Sequence, residues 1–532
     1  MKINLLSVNK ICIEGYRMKT LKFGFVILIV AISFNVCNAQ FKGTDVLKHS
    51  TLSTASISLR KIEMPSKDTF WISIYDDIVS SHLPPDTTIF ATKNENNEYT
   101  FRINFNDKPM HISLFSNRLK NGYPKYIMEL YLVEPGDNIT IDILKDSENV
   151  IRRFINYGYY SQIYNTETYQ MKFYGNSVNK YRCRYEMDQR LAKDTSKISM
   201  VTNKGDFIAN NHCDVGFNID MRILESYKNK ISNTAYYILL ADLYSTIELE
   251  RLFWLSLDLN VLIDTIHYRK IYDGYQSKIK NSNLFIPSWA KILSSKYSLL
   301  ISERQITDRL VNLNCLESYQ RIKKLYSGRL KDKILVSYAI RWIRSTYGQS
   351  ILHDVLTTIK IDSYSSYLYE YFEQNSKGNS AYNFSLPDIN GKKVKLEDFR
   401  GKVIFLDFWF SGCMFCRKYY QDVLRKVEPK FKDDSSVVFI SINVDIDRNI
   451  WIQNVNTEMY TSSTSINLNT EGKGADHPVV LNYFVWAYPQ PLVIDKNGKI
   501  FSTNNEELKK GGVEKLTVTI ERALAAKSGS LN

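Results

Sequence analysis

The sequence predicts an α/β domain at the C-terminus, preceded by a small antiparallel β-domain and a mainly α-helical middle region. The apolar run Val403 to Trp409 is followed by Cys413-Met414-Phe415-Cys416 and a helical pattern, which indicates a buried strand leading into a helix. Short alternating segments separated by turn residues occupy about residues 54–143. Apolar and aromatic residues at helical spacing occupy about residues 146–374. A chain of 532 residues also exceeds one ordinary domain.

The β-rich region is expected over residues 40–145. Strand patterns recur at residues 69–74, 99–105 and 127–133, and residues such as Pro135-Gly136-Asp137 mark turns between strands. Such short, evenly spaced segments favour a small antiparallel domain.

The middle region is expected to be helical over residues 146–374. Its clearest segments are residues 235–257, 289–300 and 334–347, which contain few glycines or prolines. Aromatic stripes of this kind usually form a core, and a groove for a partner or glycan is the alternative. The small polar residues 375–380 predict a linker to a final domain over residues 381–532.

The Cys-x-x-Cys pair carries the clearest chemical signal in the chain. Cys413 lies at the expected exposed helix start, where free backbone N–H groups and the helix dipole stabilise a thiolate. Cys416 is close enough to close a disulfide. Half of a zinc site and a structural disulfide are the alternatives. A zinc site needs further ligands at similar spacing, whereas the remaining cysteines are scattered singly and His477 lies about sixty residues on. We therefore expect a redox pair, no metal and no cofactor.

The other cysteines of the middle region are expected to be buried free thiols. They are Cys183, Cys213 and Cys315, and in an oxidising envelope two of them could pair, but all three cannot do so within one chain.

The residues around the pair resemble the thioredoxin superfamily, and within it the TlpA/ResA-like thiol-disulfide oxidoreductases of bacterial envelopes. The resemblance covers about residues 381–526. Its motifs follow the family's order: an opening hairpin over residues 384–402, a central strand ending in Asp407-Phe408-Trp409, a buried strand over residues 437–445, Trp451, and Tyr488-Pro489 before a final hairpin. The resemblance implies a thioredoxin fold and thiol-disulfide exchange.

The resemblance also assigns roles to single residues. Asp407 corresponds to a buried acid that exchanges a proton with Cys416, and its apolar strand favours desolvation over a solvent-facing position. Pro489 corresponds to a cis-proline that faces the disulfide, although most X-Pro bonds are trans. Gly412 and Phe415 replace a tryptophan and a proline usual in the family. The candidate substrate contacts are Trp409, Gly412, Met414, Phe415 and Tyr488.

The N-terminus predicts export. Lys19 and Lys22 precede an apolar stretch over residues 23–36, and Cys37-Asn38-Ala39 offers small residues for cleavage. Residues 1–39 are therefore expected to be a signal peptide, with Met18 as an alternative start. A lipid anchor on Cys37 and an uncleaved membrane anchor are the other interpretations. The expected location is the periplasm or cell envelope.

Charge and resemblance together suggest the partners. The net charge is +13, and it falls to about +9 without residues 1–39. Basic residues are spread along the chain rather than clustered with aromatic residues, so no nucleic-acid partner is expected. The resemblance implies disulfide-containing envelope proteins as substrates and a membrane-bound thiol reductase as electron donor. The alternative function is an envelope binding protein for a protein or glycan, with an accessory thioredoxin-like domain.

Overall fold

The computed structural model describes residues 54–63, 69–76, 85–96, 98–105, 108–120, 123–157, 160–193, 205–261, 285–302, 315–359 and 362–526. The expected signal peptide, residues 1–39, lies outside these ranges. Within them, no helix combines the length and the apolar character needed to cross a membrane.

Two sheets form the β-rich region. One has the strand order β4-β5-β1-β8-β9, and the other has the order β3-β2-β6-β7. Alternating residues point into their shared core, as Ala55, Ile57 and Leu59 do on the first strand. The strands are β1 Thr54–Ile62, β2 Phe70–Tyr75, β3 Thr87–Phe90, β4 Thr92–Lys93, β5 Tyr99–Asn104, β6 Met110–Lys120, β7 Tyr123–Val133, β8 Asn138–Tyr157 and β9 Tyr160–Gly175.

Two features of this region differ from the prediction. The region is not wholly antiparallel, because β1 and β8 pair in parallel. It also extends past the expected boundary at residue 145, since β8 and β9 form a long antiparallel ladder. The polar residues 146–149 do not end β8. The ladder absorbs them as a register irregularity between Lys145 and Val150.

Helices follow from residue 178 onward. Their bounds are α1 Val178–Lys193, α2 Gly205–Tyr227, α3 Asn233–Val261, α4 Ser288–Leu293, α5 Cys315–Leu325, α6 Gly328–Trp342, α7 Gly348–Thr358 and α8 Asp362–Asn375. The segment 289–300, expected as one helix, is interrupted after α4. There the Ser294 hydroxyl accepts the backbone N–H of Tyr297 at 3.1 Å, which caps a new turn. Most aromatic residues of α5 and α6 are buried, as the core interpretation requires.

The C-terminal region is a central sheet with helices on both faces. Its main sheet has the order β14-β13-β12-β15-β16, with β12 in the middle, parallel to β13 and antiparallel to β15. The strands are β10 Ser385–Pro387, β11 Lys393–Lys395, β12 Val403–Trp409, β13 Val437–Asn443, β14 Ile466–Asn469, β15 Gln490–Ile494 and β16 Ile500–Ser502. The helices are α9 Met414–Tyr419, α10 Arg448–Asn456, α11 Pro478–Asn482 and α12 Gly512–Ala525. A π-helical turn, Glu506–Lys510, precedes α12.

Residues 375–380 are not the flexible linker that their composition suggests. Asn375 and Ser376 are buried. Gly378 donates its backbone N–H to the carbonyl of Ile500 at 2.8 Å, so the segment lies along the edge strand β16. This tertiary pairing satisfies backbone groups that a solvated linker would leave to water. Phe484 of the C-terminal region also packs into the core of α5 to α8, which joins the two regions further.

Candidate active site

The turn between β12 and the first cysteine is held from a neighbouring strand. Asp445 follows β13, which runs parallel to β12, so both strands end at the same edge of the sheet. The Asp445 carboxylate accepts the backbone N–H of Ser411 at 3.0 Å. The backbone N–H of Gly412 donates to the Tyr460 hydroxyl at 3.0 Å. Gly412 has a φ of +89°, which disfavours the side chain usual in the family at this position.

Cys413 and Cys416 form a disulfide at the start of α9. Cys413 is the N-cap residue, and its sulfur accepts the backbone N–H of Cys416 at 3.0 Å. A helix N-terminus of this kind favours a thiolate on Cys413 once the disulfide is reduced.

The expectation that Cys413 is exposed is wrong. Cys413 is 4% exposed and Cys416 is 2% exposed, because both pack against a cluster that includes Trp409, Trp451 and Tyr460. The side chains between them do reach solvent, since Met414 is 70% and Phe415 is 44% exposed. Capping geometry, rather than accessibility, therefore distinguishes the two sulfurs.

Asp407 is buried in the middle of the sheet. It is 5% exposed, and its Oδ1 atom has no hydrogen-bond partner among the described residues. Burial raises the pKa of Asp407 to about 8, while the ammonium group of Lys509 acts in the opposite direction. Along β12, Asp407 lies on the same face as Val403 and Phe405, which pack in one cluster with Tyr419, one turn after Cys416. Asp407 therefore faces the helix that carries the cysteines, and its protonated form predominates at neutral pH.

The peptide bond between Tyr488 and Pro489 is cis. The Tyr488 ring meets Phe410 edge to face, with 5.3 Å between the ring centroids, and packs against the cluster that contains both cysteines. The carbonyl oxygen of Pro489 accepts a hydrogen bond from Lys509 Nζ at 2.9 Å. This loop therefore lies between the cysteine cluster and the π-helical turn.

Trp409 does not lie where a substrate contact is expected. Its side chain is fully buried, its Nε1–H donates to Ser441 Oγ at 2.6 Å, and its ring stacks on Tyr460 at 5.0 Å. Trp409 is the last residue of β12 and packs in the same buried cluster as both cysteines. The structure thus places Gly412, Met414, Phe415 and Tyr488 around the disulfide and leaves Trp409 in the core.

The remaining thiols show no redox geometry in the described part of the chain. Cys183 and Cys315 are buried and unpaired, and burial raises the pKa of Cys183 to about 12. The side chain of Cys213 lies outside the described set. Among the described residues, no group of three or more His, Cys, Asp and Glu side chains could hold a metal ion.

Sequence reasoning missed several residues of this site. Lys509 belongs to the run Glu506 to Lys510, whose charges are typical of a solvated surface. Tyr460 lies in a polar loop without any motif. Only Asp445 carried a usable signal, because it ends the buried strand predicted over residues 437–445.

Comparisons with known proteins match the C-terminal region of this chain. The Redoxin family model matches residues 376–519. Thiol-disulfide oxidoreductase ResA of Bacillus cereus is 30% identical over 147 residues, which cover 27% of this chain and 80% of that protein. ResA of Bacillus subtilis is 31% identical over 128 residues, covering 24% and 66% of the two chains. The crystal structure of the thioredoxin domain of a Bacteroides vulgatus thiol-disulfide oxidoreductase is 27% identical, with a TM-score of 0.24, and the match covers 28% of this chain and 96% of that one.

The Redoxin match and the ResA relatives confirm the predicted enzyme class and support the thioredoxin-like fold of the C-terminal region. In that region, the chain belongs to the family of ResA thiol-disulfide oxidoreductases.

Proposed function

We propose that this protein is an exported thiol-disulfide oxidoreductase that uses Cys413 and Cys416 to reduce or exchange disulfides of envelope proteins. The observation that carries the proposal is the disulfide at the start of α9, with Cys413 as the N-cap residue and the acid Asp407 buried on the face of β12 that packs against that helix. Family membership supports the reaction type.

In the reducing direction, the Cys413 thiolate attacks one sulfur of a substrate disulfide. A mixed disulfide forms, and the second substrate sulfur leaves as a thiolate that takes a proton from water. Cys416 then loses its proton and attacks the Cys413 sulfur, which releases the first substrate sulfur as a thiol. The substrate gains two electrons, and the enzyme is left with the Cys413–Cys416 disulfide.

We propose that Asp407 accepts the proton of Cys416 and returns it when the reaction runs in reverse. Because the pKa of Asp407 is raised to about 8, both its forms are populated near neutral pH. The carboxylate accepts the Cys416 proton when that thiol attacks. The acid form returns a proton when the enzyme disulfide is opened again. One residue therefore serves both directions of exchange.

The substrate is proposed to contact the uncharged surface beside the disulfide. Met414 and Phe415 are exposed at the start of α9, Gly412 directly precedes Cys413, and Tyr488 packs against the cluster that contains both cysteines. This surface favours a substrate segment with apolar side chains next to its disulfide. Pro489 is proposed to leave a backbone edge on which that segment is held.

The enzyme disulfide must be reduced again after each reducing cycle. We propose a membrane-bound thiol reductase as the donor of two electrons. The direction of net flow follows from the reduction potential of the Cys413–Cys416 pair. A reduction potential of about −270 mV indicates a reductant, and a reduction potential of about −120 mV indicates an enzyme that forms disulfides.

Reduction of insulin disulfides by dithiothreitol tests the reaction. The full mature chain should accelerate insulin precipitation, whereas the Cys413→Ser, Cys416→Ser double variant should match the rate without protein. The full chain is used because Phe484 packs in the core of the helical region. Equal rates for both proteins would contradict the proposal and favour a binding protein with an accessory domain.

Export predicts a defined mature N-terminus. The basic residues, apolar stretch and small residues up to Ala39 lead us to expect an envelope protein that begins near Gln40. Mass spectrometry of the protein from envelope fractions measures this. Cys37→Ala keeps a small residue three positions before the cut, so it should not alter processing, but it would abolish lipidation. Recovery from the cytoplasm with Met1 intact, or processing lost in Cys37→Ala, would refute the prediction.

A further inference from the structure

Three parallel strands of the C-terminal sheet end side by side next to the redox pair. Trp409 on β12 is in register with Asn443 on β13, and Asn443 is in register with Asn469 on β14. The carboxyl ends of strands form the edge at which open α/β sheets bind their ligands. Asn443 and Asn469 are 0% and 3% exposed. Two buried amides at this edge need hydrogen-bond partners, and these partners lead to the turn before Cys413.

The orientation of both amide groups follows from their backbone partners. The backbone N–H of Asp445 can only donate, so the atom of the Asn443 side chain at 2.8 Å from it is Oδ1. The backbone carbonyl oxygen of Asp445 can only accept, so the atom of the Asn469 side chain at 2.9 Å from it is Nδ2. Asn469 Nδ2 also donates to Asn443 Oδ1 at 2.9 Å. Neither amide can turn over without placing two donors or two acceptors against each other.

The remaining atom of the Asn443 amide, Nδ2, donates to the Asp445 carboxylate. It contacts Oδ2 at 2.9 Å. Ser411 donates to the same carboxylate twice, through its backbone N–H to Oδ1 at 3.0 Å and through its hydroxyl to Oδ2 at 2.5 Å. Three donors therefore converge on two oxygen atoms. A carboxylate accepts at both oxygens, whereas an amide would turn its own N–H groups toward one of these donors.

These contacts fix the turn in front of the first cysteine. Ser411 lies two residues before Cys413, and the backbone N–H of Gly412 between them donates to the Tyr460 hydroxyl at 3.0 Å. The backbone N–H of Cys413 donates to the carbonyl oxygen of Phe410 at 3.2 Å. The three backbone N–H groups that lead into the cysteine side chain are therefore all bonded, two of them to side chains from other elements.

We propose that Asp445 is a positioning residue of the redox reaction, and that Asn443 and Asn469 hold its carboxylate in place. Through Ser411, Asp445 keeps the Cys413 sulfur at the start of α9, where the sulfur accepts a backbone N–H. The inference rests on the proposed role of Cys413 as the nucleophile. It implies that the ends of β13 and β14 help to set the rate at which a substrate disulfide is attacked.

Asp445→Asn tests the contact with the smallest change, because it replaces one oxygen atom with an amino group. Whichever way the new amide turns, its N–H groups face either the Ser411 N–H or Asn443 Nδ2, so one contact is lost and the turn loosens. A misplacement of about 1 Å can cost about a hundredfold in rate, and a loosened turn misplaces the Cys413 sulfur for part of the time. We therefore expect the maximal rate constant of attack to fall about tenfold. The half-saturating substrate concentration should stay within about twofold, because the exposed side chains beside the disulfide are unchanged.

The sign of this effect separates the contact from the charge. Removing the negative charge of Asp445 would by itself favour the Cys413 thiolate, because a nearby anion disfavours a second anion. Charge alone therefore predicts a faster attack at neutral pH, whereas loss of the contact predicts a slower one.

Exchanging the two side chains should restore the contacts. In the Asn443→Asp, Asp445→Asn double variant, the carboxylate at position 443 accepts the amide group at position 445, the backbone N–H of that residue and Asn469 Nδ2. The amide oxygen at position 445 accepts the Ser411 N–H. The double variant should recover most of the lost rate, although it should melt at a lower temperature because its carboxylate is fully buried. Two independent defects would instead add.

Single-turnover stopped-flow kinetics on the full reduced chain measures these effects. All proteins carry Cys416→Ser, so that only the first attack by Cys413 is observed. A peptide with one disulfide is added at several concentrations, and the fluorescence of Trp409 and Trp451, which pack in one cluster with both cysteines, follows the reaction. The amplitude gives the fraction of folded, reduced protein. A change that only destabilised the fold would lower this amplitude and leave the rate constant of the remaining protein unchanged.

Asp434→Asn is a matched control. The Asp434 carboxylate also accepts the backbone N–H of a serine, that of Ser436 at 2.8 Å, but at the opposite end of β13. Its rate constant should equal that of the protein with Cys416→Ser alone. If Asp445→Asn does not fold, Asn469→Ala takes its place, because it keeps the carboxylate and removes its outer support. It should slow the attack about threefold.

The outcomes separate the inference from the proposed function. A rate constant that is unchanged or higher in Asp445→Asn, or unchanged in Asn469→Ala where that variant is used, would overturn the role of Asp445 and leave Cys413 as the nucleophile. A folded double variant that recovers none of the rate would overturn it as well. If the protein with Cys416→Ser alone does not react with the peptide, the proposed function fails, and the inference fails with it.

Discussion

Replacing Cys416 with serine should give a protein that captures substrates through Cys413 and does not release them. The mixed disulfide can be resolved only by a second thiol close to the Cys413 sulfur, and in the described residues the free thiols Cys183 and Cys315 are buried elsewhere. Steady-state turnover should fall to the uncatalysed rate, because each molecule reacts once.

The companion variant, Cys413→Ser, should capture nothing. The sulfur of Cys413 accepts the N–H of Cys416 at the helix N-terminus, whereas Cys416 lies inside the first turn and lacks that stabilisation as a thiolate. Non-reducing gels and mass spectrometry of envelope extracts measure the adducts, with the double variant as the background. Equal capture by both single variants would show that the nucleophile has been misassigned. The two sulfurs are almost equally buried, so accessibility alone does not favour capture by Cys413.

The C-terminal region could be predicted because its signals are local and ordered along the chain. The apolar strand β12, the cysteine pair at a helix start and the Tyr488-Pro489 pair each follow from short segments. Their order, rather than any one of them, indicated the family.

The front of the chain was harder to divide because the deciding contacts are distant in sequence. The polar residues 146–149 are typical of a break, yet pairing with β9 carries β8 through them. Residues 375–380 have the composition of a linker, and only the edge of β16 gives them a fixed place. Composition therefore indicates the three regions but not the boundaries between them.

Some site residues could be predicted from local motifs, whereas others are placed only by tertiary packing. Cys413, Cys416, Asp407 and Pro489 belong to recognisable motifs. Lys509 reaches the site from a charged segment that follows the last strand. Nothing in its immediate sequence distinguishes it from a solvated cation, because its position depends on burial that tertiary packing creates.

Asp407→Asn should slow resolution of the mixed disulfide while leaving the first attack by Cys413 largely intact. The amide cannot accept the Cys416 proton. Positioned acid-base groups contribute about a hundredfold or more, but a thiol ionises easily, so we expect a loss of about tenfold to a hundredfold. The increase in rate through about pH 8 that follows the raised pKa of Asp407 should also disappear.

Stopped-flow kinetics on a model mixed disulfide separates the two steps. Asp422→Asn is a matched control, because Asp422 is an exposed carboxylate in the continuation of the same helix and pairs with Lys418 at the surface. It should leave both steps unchanged. A resolution rate at pH 7 that is the same in Asp407→Asn as in the wild type would reduce Asp407 to a structural residue.

The same substitution should stabilise the fold at neutral and alkaline pH. The pKa of Asp407 is raised from its ordinary value of 3.8 to about 8 in the folded protein, so between these values the folded state keeps a proton that the unfolded state has lost. The free energy of unfolding of the wild type therefore contains a contribution that falls as pH rises from about 4 to about 8. Asparagine does not titrate and lacks this loss, although its amide group must find partners in an apolar site. We expect melting curves to coincide near pH 4 and to favour Asp407→Asn by about 1 kcal/mol or more above pH 7. A difference that does not grow with pH would mean that Asp407 is ionised in the folded protein, and it could not then protonate Cys416.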